Sequence, residues 1–334
     1  MINVNKNIRR RILSEQIPAW GLKVAAILIL LSACKRKMIV LKSPPGYNFS
    51  APQVTKLDMR LREISGIAWD KKRNLFLAEE DESGKLYVLD RDTKNIIPPT
   101  SVFGDKGDYE DIAVVDSIPY ILRSDGTIFR INTDVSGGSS GTEVGKIQLP
   151  GTNDFESLYY DPDRKALIVI CKNCATDEGR KISAFAFDLE AGAFVPKPVF
   201  QIDEVAIEKL SPRNSKKFEP SAAAINPVQK KLYILSAASR QLVITDLNGK
   251  VEGVYILVPA MFPQPEGICF RGKGNMYISN EGGSGKATLL EFDYKNSDIE
   301  TKATQGIYYF SMPDDIMKLG KRINSPVSPV LHQN

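Results

Sequence analysis

Five segments of similar pattern recur along this chain, and each begins with a glutamate that leads into a small or apolar run. They start at Glu63, Glu110, Glu156, Glu219 and Glu266, at successive intervals of 47, 46, 63 and 47 residues. Self-similar units of this length are typical of modular architectures, in which each unit buries its apolar faces only against its neighbours. The repeat therefore restricts the chain to a ring or a stack of equivalent units.

The content of each unit is β-rich. Short runs of Leu, Ile, Val, Tyr and Phe are separated by Gly, Asn, Asp and Pro, for example at 75–77, 86–89, 167–170 and 232–235. Such runs between turn residues predict short strands. Three or four strands in about 47 residues is the size of one propeller blade. We therefore predict an all-β protein with a single five-bladed β-propeller, or with six blades if the N-terminal strand belongs to a degenerate extra unit.

The one long interval and the closure of the ring need separate explanations. An insertion at 194–217 accounts for the long interval, and residues 203–210 within it are the one segment that favours a short helix. Residues 305–310 are expected to supply a late outer strand. The segment before Glu63 is expected to pair beside that strand, which would leave no open sheet edge.

The first 34 residues have the pattern of a targeting segment. Basic residues precede an apolar run at 24–31, which is shorter than the ~20 residues of a membrane-spanning helix. The run ends in Leu31-Ser32-Ala33-Cys34, which resembles the lipobox of bacterial lipoproteins, where the cysteine receives the lipid. An ordinary cleaved signal peptide and a signal anchor are the alternatives. We predict a signal peptide at 1–33, a lipidated Cys34 with a tether to residue 52, a propeller at 53–311 and a tail at 312–334.

Setting the targeting segment apart changes the net charge of the remaining chain and suggests where the protein is located. The chain has 44 Lys and Arg and 40 Asp and Glu, but the targeting segment holds five of the former and one of the latter, so 39 of each remain. This balance argues against a nucleic-acid partner. The lipid on Cys34 makes the membrane the expected partner. Lys35, in place of the aspartate associated with inner-membrane retention, favours the outer membrane, facing the periplasm.

The recurring glutamates are the main candidate site. Equivalent positions of a closed propeller converge near its axis, where clustered carboxylates repel each other and require a cation. Oxygen ligands suit Ca²⁺ better than Zn²⁺. Asp108, Asp154, Asn280 and Glu281 are further candidate ligands. The alternative is structural, with each glutamate capping a turn or pairing with Lys or Arg at a blade junction.

A family resemblance supports the same fold. Glu63-Ile-Ser-Gly-Ile-Ala-Trp, Asp154-Phe-Glu-Ser-Leu-Tyr-Tyr, Gln264-Pro-Glu-Gly-Ile-Cys-Phe and Asn275-Met-Tyr-Ile-Ser-Asn-Glu281 resemble motifs of the SdiA-regulated family of bacterial propellers. The resemblance covers roughly residues 57–295. It implies a five-bladed propeller distantly related to NHL-repeat proteins, with a calcium site at the matching positions Glu63, Glu110, Glu156, Glu266 and Glu281. Glu219 departs from the pattern, because Pro220 and three alanines follow it.

The cysteines point to structure rather than to chemistry. Cys171 and Cys174 form a CxxC without further zinc-ligand spacing, and an oxidising envelope favours a disulfide between them. Cys269 lies in an apolar inner strand and is expected to be a buried core residue.

Two functions remain open. No histidine precedes His332, so a Ser-His-Asp triad cannot form in the propeller, and the lack of a catalytic constellation favours a non-catalytic module that binds a protein, glycan or small molecule. The alternative is a calcium-dependent hydrolase, a lactonase or phosphoesterase, that uses the carboxylates at the channel mouth.

Overall fold

The computed structural model describes residues 42–133, 139–212 and 216–295. Within these ranges the chain forms five antiparallel sheets, which we number as blades I to V. Blade I contains β2 (Ile64–Asp70), β3 (Leu75–Glu80), β4 (Lys85–Leu89) and β5 (Ile96–Val102). Blade II contains β6 (Tyr109–Val115), β7 (Ile118–Arg123), β8 (Thr127–Thr133) and β9 (Ser139–Lys146).

The other three blades repeat this order with small variations. Blade III contains β10 (Asn153–Asp161), β11 (Ala166–Cys174), β12 (Lys181–Asp188), β13 (Ala193–Phe194) and β14 (Phe200–Asp203). Blade IV contains β15 (Ala222–Asn226), β16 (Lys231–Ser236), β17 (Gln241–Thr245) and β18 (Val251–Ile256). Blade V contains β19 (Pro265–Arg271), β20 (Asn275–Asn280), β21 (Thr288–Phe292) and β1 (Gln53–Lys56).

The first strands of the five blades form the inner ring of the propeller. Each of β2, β6, β10, β15 and β19 contacts the first strand of the next blade, and β19 contacts β2 to complete the circle. The five-bladed prediction is confirmed. We call the side where these inner strands begin the mouth face. The side where they end, with the first turns 71–74, 116–117, 162–165, 227–230 and 272–274, is the tether face.

The ring is closed by the N-terminal strand. β1 pairs directly with β21, with Gln53 opposite Glu291 and Lys56 opposite Thr288, and so becomes the outer strand of blade V. It opens no sixth blade. The predicted strand at 305–310 lies outside the described residues, and β1 occupies the position beside β21 where that strand was expected to intervene.

The insertion divides the outer edge of blade III. The short strands β13 and β14 both pair with β12, and the helix α1 (Glu204–Leu210) follows them. The Asp203 carboxylate accepts a hydrogen bond from the Val205 N–H and caps the helix, as the short polar side chain before an apolar turn predicts. The predicted helix at 203–210 is therefore present, with Asp203 as its cap.

The apolar side chains pack between blades. Five buried apolar clusters are present, and each lies between two neighbouring blades. Between blades V and I, the rings of Phe76 and Tyr277 meet edge to face with centroids 4.7 Å apart. No helix among the described residues is long and apolar enough to cross a membrane.

Candidate functional site: an acidic channel mouth

Three glutamates of the mouth are placed by the same irregularity in the inner strand. In blade II, Tyr109 pairs with Arg123 and Asp111 with Leu122, so Glu110 is an extra, bulged residue. Glu156 and Glu266 are bulged in the same way in blades III and V. A β-bulge re-aims the side chain of the residue that it adds. The three carboxylates therefore occupy one equivalent position at the start of the inner strands.

The remaining two repeats carry serine at this position. When the five inner strands are aligned by their pairing with the second strands, Ser65 and Ser221 fall at the position of the three bulged glutamates. The registers that fix this alignment are Ile67 opposite Ala78 in blade I and Ala222 opposite Leu235 in blade IV. Glu63 and Glu219 lie two residues earlier. The expectation that all five glutamates share one repeat position is corrected: three share it, and the apparent agreement of the others came from aligning glutamates without regard to register.

Glu219 is separate from the mouth cluster. Its backbone N–H donates to Ser236 Oγ at 3.3 Å, and its carboxylate is not part of the group that Glu110, Asp154 and Glu156 form. This agrees with the departure from the motif at Pro220.

A compact carboxylate cluster lies between blades II and III. One carboxylate oxygen each from Glu110, Asp154 and Glu156 can be chosen so that all three lie within 4.8 Å of one another. The ammonium group of Lys172 forms an ion pair with Glu156 and lies 3.5 Å from Asp154 Oδ2. Lys172 thus supplies part of the positive charge that the clustered carboxylates require.

Burial and mutual repulsion raise the pKa values of the mouth carboxylates Glu110 and Glu266. Burial raises the pKa of Glu110 to about 9, with Asp108 and Asp154 adding to the rise. Burial also raises the pKa of Glu266 to about 8, and the neighbouring Glu281 contributes. Lys172 acts in the opposite direction on both groups. At these pKa values, Glu110 and Glu266 are protonated at neutral pH.

The other half of the mouth is formed by blades V and I. Gln264 Nε2 donates to Glu281 Oε2 at 2.5 Å. Burial, followed by the charges of Asp81 and Glu63, raises the pKa of Glu281 to about 7. Burial and the Glu63 charge raise the pKa of Asp81 to about 6. Glu63 therefore belongs to the mouth, although it is displaced along its strand.

Sequence reasoning missed Asp81. This residue follows β3 within the run Glu79-Glu80-Asp81-Glu82, at the end of the second strand that corresponds to Glu281 in blade V. An alignment of second-strand ends could have found it. The glutamate repeat draws attention to the starts of the inner strands and not to the ends of the second strands, apart from Asn280 and Glu281.

Two further carboxylates lie fully inside the ring. Asp111, only 2% exposed, accepts hydrogen bonds from the backbone N–H groups of Ile112 and Leu158, both at 2.8 Å. Glu79 is 0% exposed and accepts from the Gly66 N–H at 2.6 Å. Burial raises the pKa of both carboxyl groups. Asp111 thus connects the inner strands β6 and β10 of neighbouring blades, whereas Glu79 connects β3 to the inner strand β2 within blade I.

Gly66 permits this close packing at the axis. A Cβ atom at this position would lie 2.7 Å from Glu79 Oε1 and 2.7 Å from the Ile112 nitrogen. Real Cβ atoms do not approach so closely, so only glycine allows blades I and II to meet here.

The two cysteines of the CxxC motif flank Lys172, the basic residue that pairs with the carboxylate cluster. The structure joins Cys171 and Cys174 in a disulfide, with Cα atoms 5.8 Å apart. Lys172 lies between them, and Phe155 pairs with Cys171 across the bulge that presents Glu156. The disulfide thus fixes the strand end that carries Lys172. Cys269 is buried, and burial raises its pKa, as expected for a core thiol.

The donor set fits a hard divalent cation. Glu110, Asp154 and Glu156 offer carboxylate oxygens, which Ca²⁺ accepts in flexible arrangements. Nitrogen and thiolate ligands are absent from this cluster, and the neighbouring Cys171 and Cys174 are consumed in their disulfide. The residues present therefore fit calcium better than zinc.

Fold and mouth together define a five-bladed propeller with an acidic axial opening. The profile of the SdiA-regulated family matches residues 43–283, and the chain belongs to this family. No curated protein matches the sequence.

Several solved structures are similar to this chain at low sequence identity. Glutaminyl cyclase of Myxococcus xanthus superposes with a TM-score of 0.50 at 14% identity, covering 73% of this chain and 96% of the cyclase. A luciferin-regenerating enzyme gives a TM-score of 0.46 at 10% identity, over 73% of this chain and 95% of the enzyme. A Bacteroides thetaiotaomicron protein of unknown function gives 0.46 at 15% identity, over 72% of this chain and 58% of that protein. At 14% identity, the similarity to the cyclase supports the propeller fold alone.

Proposed function

We propose that this protein is a lipid-anchored propeller of the cell envelope that binds Ca²⁺ in its acidic mouth and recognises a ligand there without catalysis. The single observation that carries the proposal is the convergence of the Glu110, Asp154 and Glu156 oxygens within 4.8 Å. Bound calcium would offer free coordination positions to an oxygen-rich ligand, such as a glycan or an acidic group of a protein.

Electrostatics supports the calcium site. Burial holds protons on Glu110 and Glu266, whose pKa values rise to about 9 and 8. A divalent cation would replace those protons and offset the repulsion among the carboxylates. The propeller would then be most stable with the mouth loaded.

The anchor part of the proposal depends on the sequence. Leu31-Ser32-Ala33-Cys34 resembles a lipobox, and residues 43–52 lead directly into β1 on the tether face. Lipid on Cys34 would hold the propeller at the outer membrane, facing the periplasm. Membrane fractionation tests this part: Cys34→Ser should release the protein from the washed membrane fraction, and unchanged retention would contradict it.

Calcium titration tests the site. We expect binding with a Kd of about 10⁻⁴ to 10⁻³ M, the range of extracellular calcium modules, and a rise in melting temperature with added calcium. Glu110→Gln with Glu156→Gln should weaken binding at least tenfold, whereas Glu252→Gln, on the outer strand of blade IV, should not. Equal binding by the double variant and the wild type would reject the ligand set.

A metal-dependent hydrolase is the second candidate. Glu281, whose pKa rises to about 7, could accept or donate a proton at neutral pH, as a general acid or base must. Calcium, when bound, would polarise an ester or phosphoryl oxygen. Assays on lactones and phosphoesters would support this function only if turnover depends on calcium and falls in Glu281→Gln while binding of calcium persists.

A further inference from the structure

The two faces of the propeller differ in charge. The mouth face gathers the carboxylates described above, whereas the first turns on the tether face present exposed lysines from four of the five blades: Lys71, Lys72, Lys165, Lys230 and Lys273. Those turns contain two acidic residues, Asp116 and Asp163. Of the outer turns on the same face, 90–95 and 246–250 carry charges of both signs, and 189–192 carries only the acidic Glu190.

The basic side chains of the first turns differ in whether an acidic residue already pairs with them. Arg73 Nε lies 3.2 Å from the buried Asp70, and Arg164 pairs with the buried Asp161 at 2.5 Å. In the part of the chain that the structure describes, the exposed lysines of the first turns have no ion-pair partner. Their charge faces solvent.

A cleft between blades I and II adds a shaped site to this face. It has a volume of about 590 Å³, and its charged lining residues are the basic Lys72, Arg73 and Arg130 and the acidic Asp116. Arg73 Nη2 donates to the Ser117 carbonyl at 2.6 Å, which fixes one wall. Lys72 and Arg130 form no ion pair with a described residue. Their free charges suit a phosphate group, whereas the Ser117 hydroxyl already donates to Asp70 Oδ1 and the Asn132 amide to Thr142 Oγ1.

The tether enters the propeller on this same face. The Tyr47 hydroxyl donates to the Gly274 carbonyl at 2.6 Å, and Asn226 Nδ2 donates to the Tyr47 hydroxyl at 2.7 Å. Seven residues, 35–41, separate Cys34 from the described chain, and they can span at most about 25 Å when fully extended. Three of them are basic: Lys35, Arg36 and Lys37.

We propose that the tether face is a docking surface for an anionic phospholipid bilayer, with a headgroup phosphate in the cleft between blades I and II. This inference depends on the lipid anchor of the proposed function, because the short tether keeps this face near the bilayer. Basic clusters are attracted to anionic leaflets within about a Debye length, roughly 10 Å at 0.1 M salt. The acidic mouth is repelled and points away from the membrane, towards its ligand.

A lysine footprint of the full-length lipidated protein tests the orientation. The protein is reconstituted on vesicles of phosphatidylcholine with 30% phosphatidylglycerol, and on vesicles of phosphatidylcholine alone, and then treated with an amine-acetylating reagent. On the anionic vesicles, Lys72, Lys165, Lys230 and Lys273 should react at least threefold more slowly than on neutral ones. Lys106 and Lys286, which are exposed on the mouth face, should react equally on both.

A charge-reversal variant supplies the control. Changing Lys72, Lys165, Lys230 and Lys273 to Glu removes those probes, so Lys71 reports instead; it should be protected in the wild type and lose that protection in the variant. The same should occur in 0.5 M salt. Equal rates on both vesicle types, or protection of Lys106 and Lys286, would overturn the docking proposal.

Failure of the anchor is a separate result. Retention on neutral vesicles depends on the lipid alone, so loss of retention there contradicts the anchor on Cys34. Slower acetylation on anionic vesicles depends on the tether face. A protein that stays on neutral vesicles but shows no difference in footprint would leave the anchor intact and overturn docking.

Discussion

At the scale of single residues, the pairing of Lys172 with the mouth carboxylates determines how much negative charge is left for a bound cation. Lys172 pairs with Glu156 and lies beside Asp154, so an internal cation occupies the region where calcium is proposed to bind. Its charge also lowers the raised pKa values of Glu110 and Glu266. An internal cation of this kind competes with an external one.

Removing this competitor should strengthen calcium binding. We expect Lys172→Met to lower the calcium Kd by about tenfold, equivalent to ~1.4 kcal/mol, because the carboxylates lose their internal partner. Isothermal titration calorimetry measures the change. Lys106→Met, at an exposed mouth-face position, is the matched control. Weaker binding by Lys172→Met would show that Lys172 supports the site rather than competes for it.

Asp111 has a structural role beneath the mouth. Its carboxylate accepts two backbone N–H groups, one of them from Leu158 of the next blade. Asp111→Ala leaves these buried donors without a partner, and we expect a loss of about 3 kcal/mol in the free energy of unfolding. Urea denaturation measures it, with Asp163→Ala in an exposed turn as the control. A change below 0.5 kcal/mol, on the order of an exposed substitution, would contradict this role.

At the scale of strands and blades, register decides what the sequence could predict. The apolar runs between turn residues predicted the strands correctly, because each run is buried on both faces between blades. The placement of Glu63 and Glu219 could not be predicted in this way. A bulge shifts the phase of a strand by one residue, and nothing in the local sequence distinguishes a bulged glutamate from a regular one.

The closing strand gives a test at this scale. β1 is the outer strand of blade V, and the Leu57 that follows it is buried. Removing all residues before Leu57 exposes the edge of β21 and the apolar cluster around Tyr47 and Phe49. We expect a fall of at least 10 °C in melting temperature, or aggregation. Removal of the residues before Lys42 should leave the melting temperature unchanged; equal effects would contradict the closing role.

At the scale of the whole molecule, the ring brings together residues that are far apart in sequence. Asp81, Glu110, Glu156 and Glu281 come from four blades, and only closure of the circle makes them neighbours. The repeat predicted that convergence, because equivalent positions of a propeller face one axis. It could not predict Lys172, since the CxxC around it indicated only a disulfide.

The pH dependence of calcium binding is a property of this whole ring. Burial raises the pKa of Glu110 and Glu266 from 4.5 to about 9 and 8. The folded apoprotein thus binds protons that the unfolded chain releases above pH 4.5, so their contribution to stability is full at low pH and is lost as pH rises towards 9. Calcium must displace the same protons.

We therefore expect the calcium-induced rise in melting temperature to be larger at pH 9 than at pH 6. The apparent affinity should increase up to about tenfold per pH unit for each proton released. Thermal melts with and without calcium across this range measure the difference. The opposite trend, with the larger rise at pH 6, would mean that calcium binds elsewhere than at the protonated carboxylates.

The most direct test is a crystal structure of the protein grown with calcium at pH 8 to 9. The mouth carboxylates are predicted to bind one ion through Glu110, Asp154 and Glu156, with the Lys172 ammonium moved away from Glu156. Anomalous scattering identifies the ion. A mouth without an ion at millimolar calcium, with Lys172 still paired to Glu156, would contradict the calcium site and the function built on it.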